Sequence, residues 1–165
     1  GIRDLQALLV PRADEVILLL DRTKSLAAKA KEFASPQVLC HTDIHAMNLV
    51  IHQGALTLID WEGLKLAPAE HDLFALTGED FPAFLRSYWR AGGVRELHPD
   101  TFGFYFYRRN LEDLTDWLIR ILYENNTAVQ DRLDLAGLRS ECIDCWPYLE
   151  PSMAQVGEQL AGLSA

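Results

Sequence analysis

His41-Thr42-Asp43-Ile44-His45-Ala46-Met47-Asn48, followed by Leu49 to His52, Gln53-Gly54, Ala55 to Ile59 and then Asp60-Trp61-Glu62, decides how this 165-residue chain is read. Val38-Leu39-Cys40, just ahead, is a short extended run, and His41 to Asn48 is too polar and irregular to continue it. The two apolar runs on either side of Gln53-Gly54 read together as a β-hairpin. A hairpin reverses the chain, so Asp60 at its exit returns to the end at which Asn48 entered. Residues far apart in sequence are thereby brought together on short strands.

Outside this stretch the periodicity is helical. Val16, Leu19, Leu20, Thr23, Leu26 and Ala27 recur at helical spacing and predict a helix over 12–34, with Pro11 near its start and Ser35-Pro36 at its end. Residues 61–68 have turn character, and helices are expected over 69–77, 80–91, 100–125, 130–148 and 152–163. Gly92-Gly93 supplies a stop for the second of these, and Pro99 precedes the third. The expected fold is mainly α with a small β-hairpin inserted in the first third. Repeats and low-complexity tracts are absent from the sequence.

With 49% apolar and 24% charged residues, the chain has the makings of one globular domain with its own core. A formal net charge of −9 argues against a nucleic-acid partner, which would need clustered Lys and Arg, and suits a cationic one. No amino-terminal targeting signal is present, and no apolar run nears the roughly 18 residues of a membrane span. A reducing cytoplasm is therefore expected. The three cysteines, Cys40, Cys142 and Cys145, are no disulfide framework. The Cys142/Cys145 pair lies among helix-forming residues, so reduced, partly buried thiols are expected rather than a redox centre.

The chemistry that fits Asp43, Asn48 and Asp60 is phosphoryl transfer. Such a reaction asks little covalent work of the protein; it needs a carboxylate facing the attacking hydroxyl and oxygen ligands for a hard cation. Asp43 would orient or accept the hydroxyl proton, and Asn48, five residues on, would hold Mg²⁺ together with Asp60. Against this stands a transition-metal hydrolase built on His41, Asp43 and His45, but further ligands at suitable spacing are missing.

The pattern H-x-D-x-x-x-x-N, hairpin, I-D resembles the catalytic loop and metal-binding Asp of protein kinases, and in detail the aminoglycoside phosphotransferase family with its choline-kinase relatives. Ile59-Asp60-Trp61-Glu62 resembles the metal motif of small-molecule kinases. Leu66-Ala67-Pro68-Ala69-Glu70-His71-Asp72-Leu73 resembles the family's run ending in Asp-Leu. Tyr105-Phe106-Tyr107-Arg108-Arg109-Asn110-Leu111-Glu112-Asp113 resembles the substrate-side helix of its spectinomycin phosphotransferase branch. The resemblance spans about residues 36–125. It implies the helical C-terminal lobe of a protein-kinase-like phosphotransferase, with Asp43 as catalytic base and Asn48 and Asp60 as magnesium ligands. His41 and Asp72 would brace the loop. ATP, or another nucleoside triphosphate, would be the co-substrate, and an aminoglycoside or aminocyclitol the acceptor. His45, Glu62, Tyr107, Glu112, Asp113, Asp116 and Trp117 are the candidates for contact with that small, cationic or sugar-like molecule.

One departure is large. The family's nucleotide lobe has a glycine-rich loop and a strand lysine, whereas residues 1–35 carry neither, and no G-x-G-x-x-G or P-loop occurs in the sequence. The chain is accordingly expected to lack the nucleotide lobe and to be inactive alone. A non-catalytic binding module that keeps the acceptor groove is the second reading. For the acidic residues on the helix, a merely solvated face is the competing account. Trp61, Tyr88, Trp89, Phe102, Phe104, Tyr105, Phe106, Tyr107 and Trp117 are expected mostly in the core. Nothing in the sequence marks an oligomeric state.

Overall fold

The computed structural model describes residues 1–124 and 127–164. Two helices, α1 (Ile2–Leu9) and α2 (Ala13–Glu32), are joined by a 3-10 turn over Val10–Arg12 that contains Pro11. Then come β1 (Gln37–Cys40), the polar loop, β2 (Leu49–His52), β3 (Ala55–Leu58) and β4 (Lys65–Pro68). The remainder is helical: α3 (Glu70–Leu73), α4 (Phe81–Arg90), α5 (Pro99–Tyr123), α6 (Ala128–Gly137) and α7 (Leu149–Ser164).

The expected hairpin forms: β2 pairs antiparallel with β3, Leu49 opposite Leu58 and His52 opposite Ala55. Its two-residue turn needs positive φ at both positions, and Gln53 (φ 49°) and Gly54 (φ 78°) adopt it. Residues 61–68, expected as turn throughout, instead contain β4, which pairs antiparallel with β1, Gln37 opposite Pro68 and Cys40 opposite Lys65. Four residues ending in proline give too little pattern to show a strand, and the partner is supplied by a distant segment.

The helices depart from expectation at two places. The helix expected over 12–34 begins only after the Pro11 turn, and α1 precedes it. The stretch 130–148 is α-helical only to Gly137; it widens to a π turn over Leu138–Cys142 and tightens to 3-10 over Ile143–Tyr148. Pro147, with no N–H to donate, breaks the regular pattern there. Position 125, at the end of the third expected helix, lies outside the described residues.

α5 is the axis of the molecule, packed against α2, α6 and α7. Its N-terminal Phe102 joins Ala69, Leu73, Phe81, Leu85, Val156 and Leu160 in one apolar cluster. Tyr107, Leu114 and Ile121, further along, join Leu19, Leu26, Leu138 and Trp146 in another. Phe102 and Tyr105 are buried as expected, and Tyr107, a candidate groove residue, is buried with them; Trp61 is 48% exposed, its ring edge-on to His41 and its Nε1–H donated to the Leu58 carbonyl. Cys142 is buried and Cys145 half-buried, both as free thiols. No helix among the described residues is long and apolar enough to cross a membrane.

Candidate active site

The loop between β1 and β2 is tied to several neighbouring elements through His41, Thr42, Asp43 and Asn48. Both oxygens of Asp72, on the short helix α3, accept backbone N–H groups: His41 at 2.8 Å and Thr42 at 2.6 Å. Thr42 has φ 76°, a left-handed conformation unfavourable for a residue with a Cβ, and the carboxylate stabilises it there. Gly63 lies against the same residue. A Cβ at that position would stand 2.4 Å from Thr42 Oγ1 and 3.2 Å from the His41 carbonyl, so only glycine permits this approach.

His41 is buried, 1% exposed. Its Nε2 lies 2.7 Å from the Ile59 carbonyl, which can only accept, so the proton sits on Nε2. Nδ1 then accepts the Asp43 N–H at 3.3 Å. One neutral tautomer satisfies both bonds, and no lone pair remains for a metal; the hydrolase built on His41 and His45 has no support in this geometry. The Ile59 N–H in turn donates to the Asn48 carbonyl at 3.0 Å. Residue 59 is thus tied to the loop through both its backbone polar groups, which carries Asp60 to the loop's edge.

Asp43 stands where these elements meet. Its Oδ1 accepts from Arg109 Nη1 at 2.9 Å, and its Oδ2 lies 3.3 Å from both Asn48 Nδ2 and His45 Nε2. Burial would raise its pKa, but the hydrogen bond and charge of Arg109, with His45 beside it, outweigh burial and lower it. Asn48 is buried and gives Nδ2 to the Asp43 carbonyl at 2.9 Å, whereas no protein donor reaches its Oδ1 among the described residues. Asp60 is exposed at φ 66°, and no ion pair or hydrogen bond engages its carboxylate among the described residues. No group of three or more His, Cys, Asp or Glu side chains positioned for a metal occurs among them either.

A groove of about 670 Å³ opens beside Asp43, lined also by Arg108, Arg109, Glu112, Asp113, Thr115 and Asp116 of α5. The acidic face expected there is largely compensated. Arg108 pairs with Glu112 at 2.7 Å and Arg109 Nε with Asp113 at 2.9 Å, each one helical turn along α5. Burial raises the Asp113 carboxyl pKa while Arg109 pulls it back. Asp116 forms no such pair among the described residues.

The other expected contacts divide. Tyr107 turns away from the groove: its hydroxyl donates to Glu150 at 2.9 Å in a separate cleft with Arg22 and Trp146. Two residues from Arg109 on the same helix, it cannot share that residue's face. Trp117 lines an adjoining cavity with Asp113 and Asp116, closing over Gly137. His45 caps the 3-10 turn Ala46–Asn48, its Nδ1 accepting the Met47 N–H at 3.2 Å, and its Nε2 lies 3.1 Å from Asn48 Nδ2 and 3.3 Å from Asp43 Oδ2. Glu62 is exposed in the turn after Asp60, and no hydrogen bond or ion pair engages it among the described residues. Arg109, for which the sequence indicated no function, reaches Asp43; the Arg-x-x-x-Asp spacing of 109 and 113 signals its pair with Asp113 but not this contact.

Residues 2–114 match the model of the phosphotransferase enzyme family, known as APH. The chain belongs to that family. No curated protein matches it by sequence. Among solved structures it is similar to a spectinomycin phosphotransferase, APH(9)-Ia, crystallised with ADP and spectinomycin, at a TM-score of 0.61 and 23% identity over 95% of this chain. That likeness establishes the fold: this family member has the helical architecture of a kinase-like phosphotransferase and spans 49% of the neighbour's length.

Proposed function

We propose that this chain supplies the acceptor- and metal-binding half of an ATP-dependent phosphotransferase acting on a hydroxyl group of an aminoglycoside or aminocyclitol. The observation that carries the reading is the braced loop, which presents the Asp43 carboxylate, its pKa lowered, at the mouth of a groove with further carboxylates along one wall. Asp43 takes the proton of the acceptor hydroxyl as its oxygen bonds to the γ-phosphorus and the bond from that phosphorus to the β–γ bridging oxygen breaks, releasing ADP. His41 and Asp72 hold the loop that positions this carboxylate.

Mg²⁺ fits the residues present. Asn48 Oδ1 and the Asp60 carboxylate are hard oxygen donors left without protein partners among the described residues, and a two-ligand site suits an ion that keeps water and phosphate oxygens in its shell. When bound, it neutralises phosphate charge. The nucleotide-covering elements are assigned to sequence outside these 165 residues. Leu39 and Leu66, opposite each other on β1 and β4, and Ile51 and Leu56, opposite each other on β2 and β3, are 63–76% exposed, apolar side chains such elements would cover.

The full-length protein given ATP, Mg²⁺ and spectinomycin or related aminocyclitols should yield a phosphorylated acceptor. Asp43→Asn should lower turnover by about 10²–10⁴-fold and Asp60→Ala should abolish it at ordinary magnesium. Acceptor binding without turnover in the parent protein would identify a binding module instead.

A further inference from the structure

We infer that Arg109 is a positioning residue for the base: from α5 it clamps Oδ1 of Asp43 and leaves Oδ2 to meet the acceptor hydroxyl. This rests on Asp43 being the base. One guanidinium holds two carboxylates, Asp43 through Nη1 and Asp113 through Nε, each at 2.9 Å. Its donors diverge in a fixed plane, so once Asp113 fixes the plane, the direction of the bond to Asp43 is fixed as well. The other contacts of the Asp43 side chain are long: both partners of Oδ2, Asn48 Nδ2 and His45 Nε2, stand at 3.3 Å. Without Arg109 only these two longer contacts would orient the carboxylate. The Asp43 side chain is 40% exposed and lines the groove with Asp113 and Asp116, so an acceptor can reach the carboxylate from there. Arg109 thus couples the orientation of the base to the helix that forms the acceptor wall.

The consequence is a pattern in kinetics rather than in stability. In the full-length enzyme, Arg109→Gln should lower kcat by about 10- to 100-fold, the scale of a small misplacement of a reacting group, with KM for both substrates little changed. Arg109→Lys should fail to restore kcat, because a single ammonium cannot hold both carboxylates in one plane. Asp113→Asn should lower kcat by less, and the double variant Arg109→Gln/Asp113→Asn should be no slower than Arg109→Gln alone, since both changes break one device. Thermal midpoints of each variant show whether the fold is kept. An unchanged or raised kcat in Arg109→Gln, a loss confined to KM, full rescue by Lys, or additive losses in the double variant would each overturn the inference. Asp43→Asn measured alongside separates the two failures. If Asp43→Asn keeps its turnover, the base assignment falls; if it loses turnover while Arg109→Gln does not, only the clamp falls.

Discussion

Asp43 and His71, 28 positions apart, show how differently burial acts on two titratable groups. At Asp43 the guanidinium of Arg109 overrides desolvation, and the carboxylate stays charged. His71 is 6% exposed, stacked on Tyr105 at 4.2 Å with its Nδ1 unpartnered, and desolvation lowers its pKa to about 4. The unfolded chain holds that imidazole near its ordinary value of about 6.5, so between pH 4 and 6.5 the unfolded state binds more protons. Stability should therefore be full above about 6.5 and decline as pH falls towards 4, by on the order of 3 kcal/mol at most. Glu70, fully buried beside it, has its pKa raised by desolvation and acts in the opposite sense, losing stability as pH rises above its ordinary range. Urea unfolding of the parent and of His71→Gln across pH 4 to 7 isolates the histidine: the slope should flatten in the variant, and parallel profiles would refute the assignment.

At the scale of elements, the legible parts are the local ones. The β2–β3 hairpin closes through a two-residue turn, so its pattern and its turn chemistry lie side by side in the sequence. β1 and β4 have no such turn between them; their pairing closes over the whole loop and hairpin, and four-residue strands carry no periodicity worth reading. Yet that second pair matters to the site, because β4 leads into α3 and thereby delivers Asp72 to His41 and Thr42. The turn before β4 is equally constrained. Gly63→Ala would force a Cβ against Thr42, displacing either the turn or the loop. We expect a loss of about 1–3 kcal/mol in thermal or urea unfolding, with a fall in phosphotransfer exceeding what the stability change explains. An alanine variant as stable and active as the parent would show that the contact relaxes without consequence.

For the molecule as a whole, α5 does two jobs. One side of it carries Phe102, Tyr107 and Leu114 into the apolar clusters, and another presents Arg108, Arg109, Glu112 and Asp113 to the groove. The helical spacing of those residues was readable, and so was the acidity of Glu112 and Asp113. What this half of a kinase-like enzyme does with nucleotide is a separate matter. With no glycine-rich phosphate loop in its 165 residues, the chain by itself should show no micromolar affinity for ATP by calorimetry, with or without Mg²⁺. Micromolar binding would place nucleotide contacts within the helical half.

The spacing of Asp43, Asn48 and Asp60 around a hairpin was determined by the sequence alone, because each link in it is local: a five-residue loop interval, a two-residue turn, a strand exit. The electrostatics of the site were not. Counting Glu112 and Asp113 as free charges was the natural reading of a linear string, but side chains one helical turn apart meet in space, and both are paired with arginines of their own helix. The Asp43–Arg109 contact joins residues 66 positions apart, and only the packing of α5 against the rest of the chain brings them within hydrogen-bonding distance. The tertiary structure thus decided which charges remain free in the groove and what holds the carboxylate at its mouth.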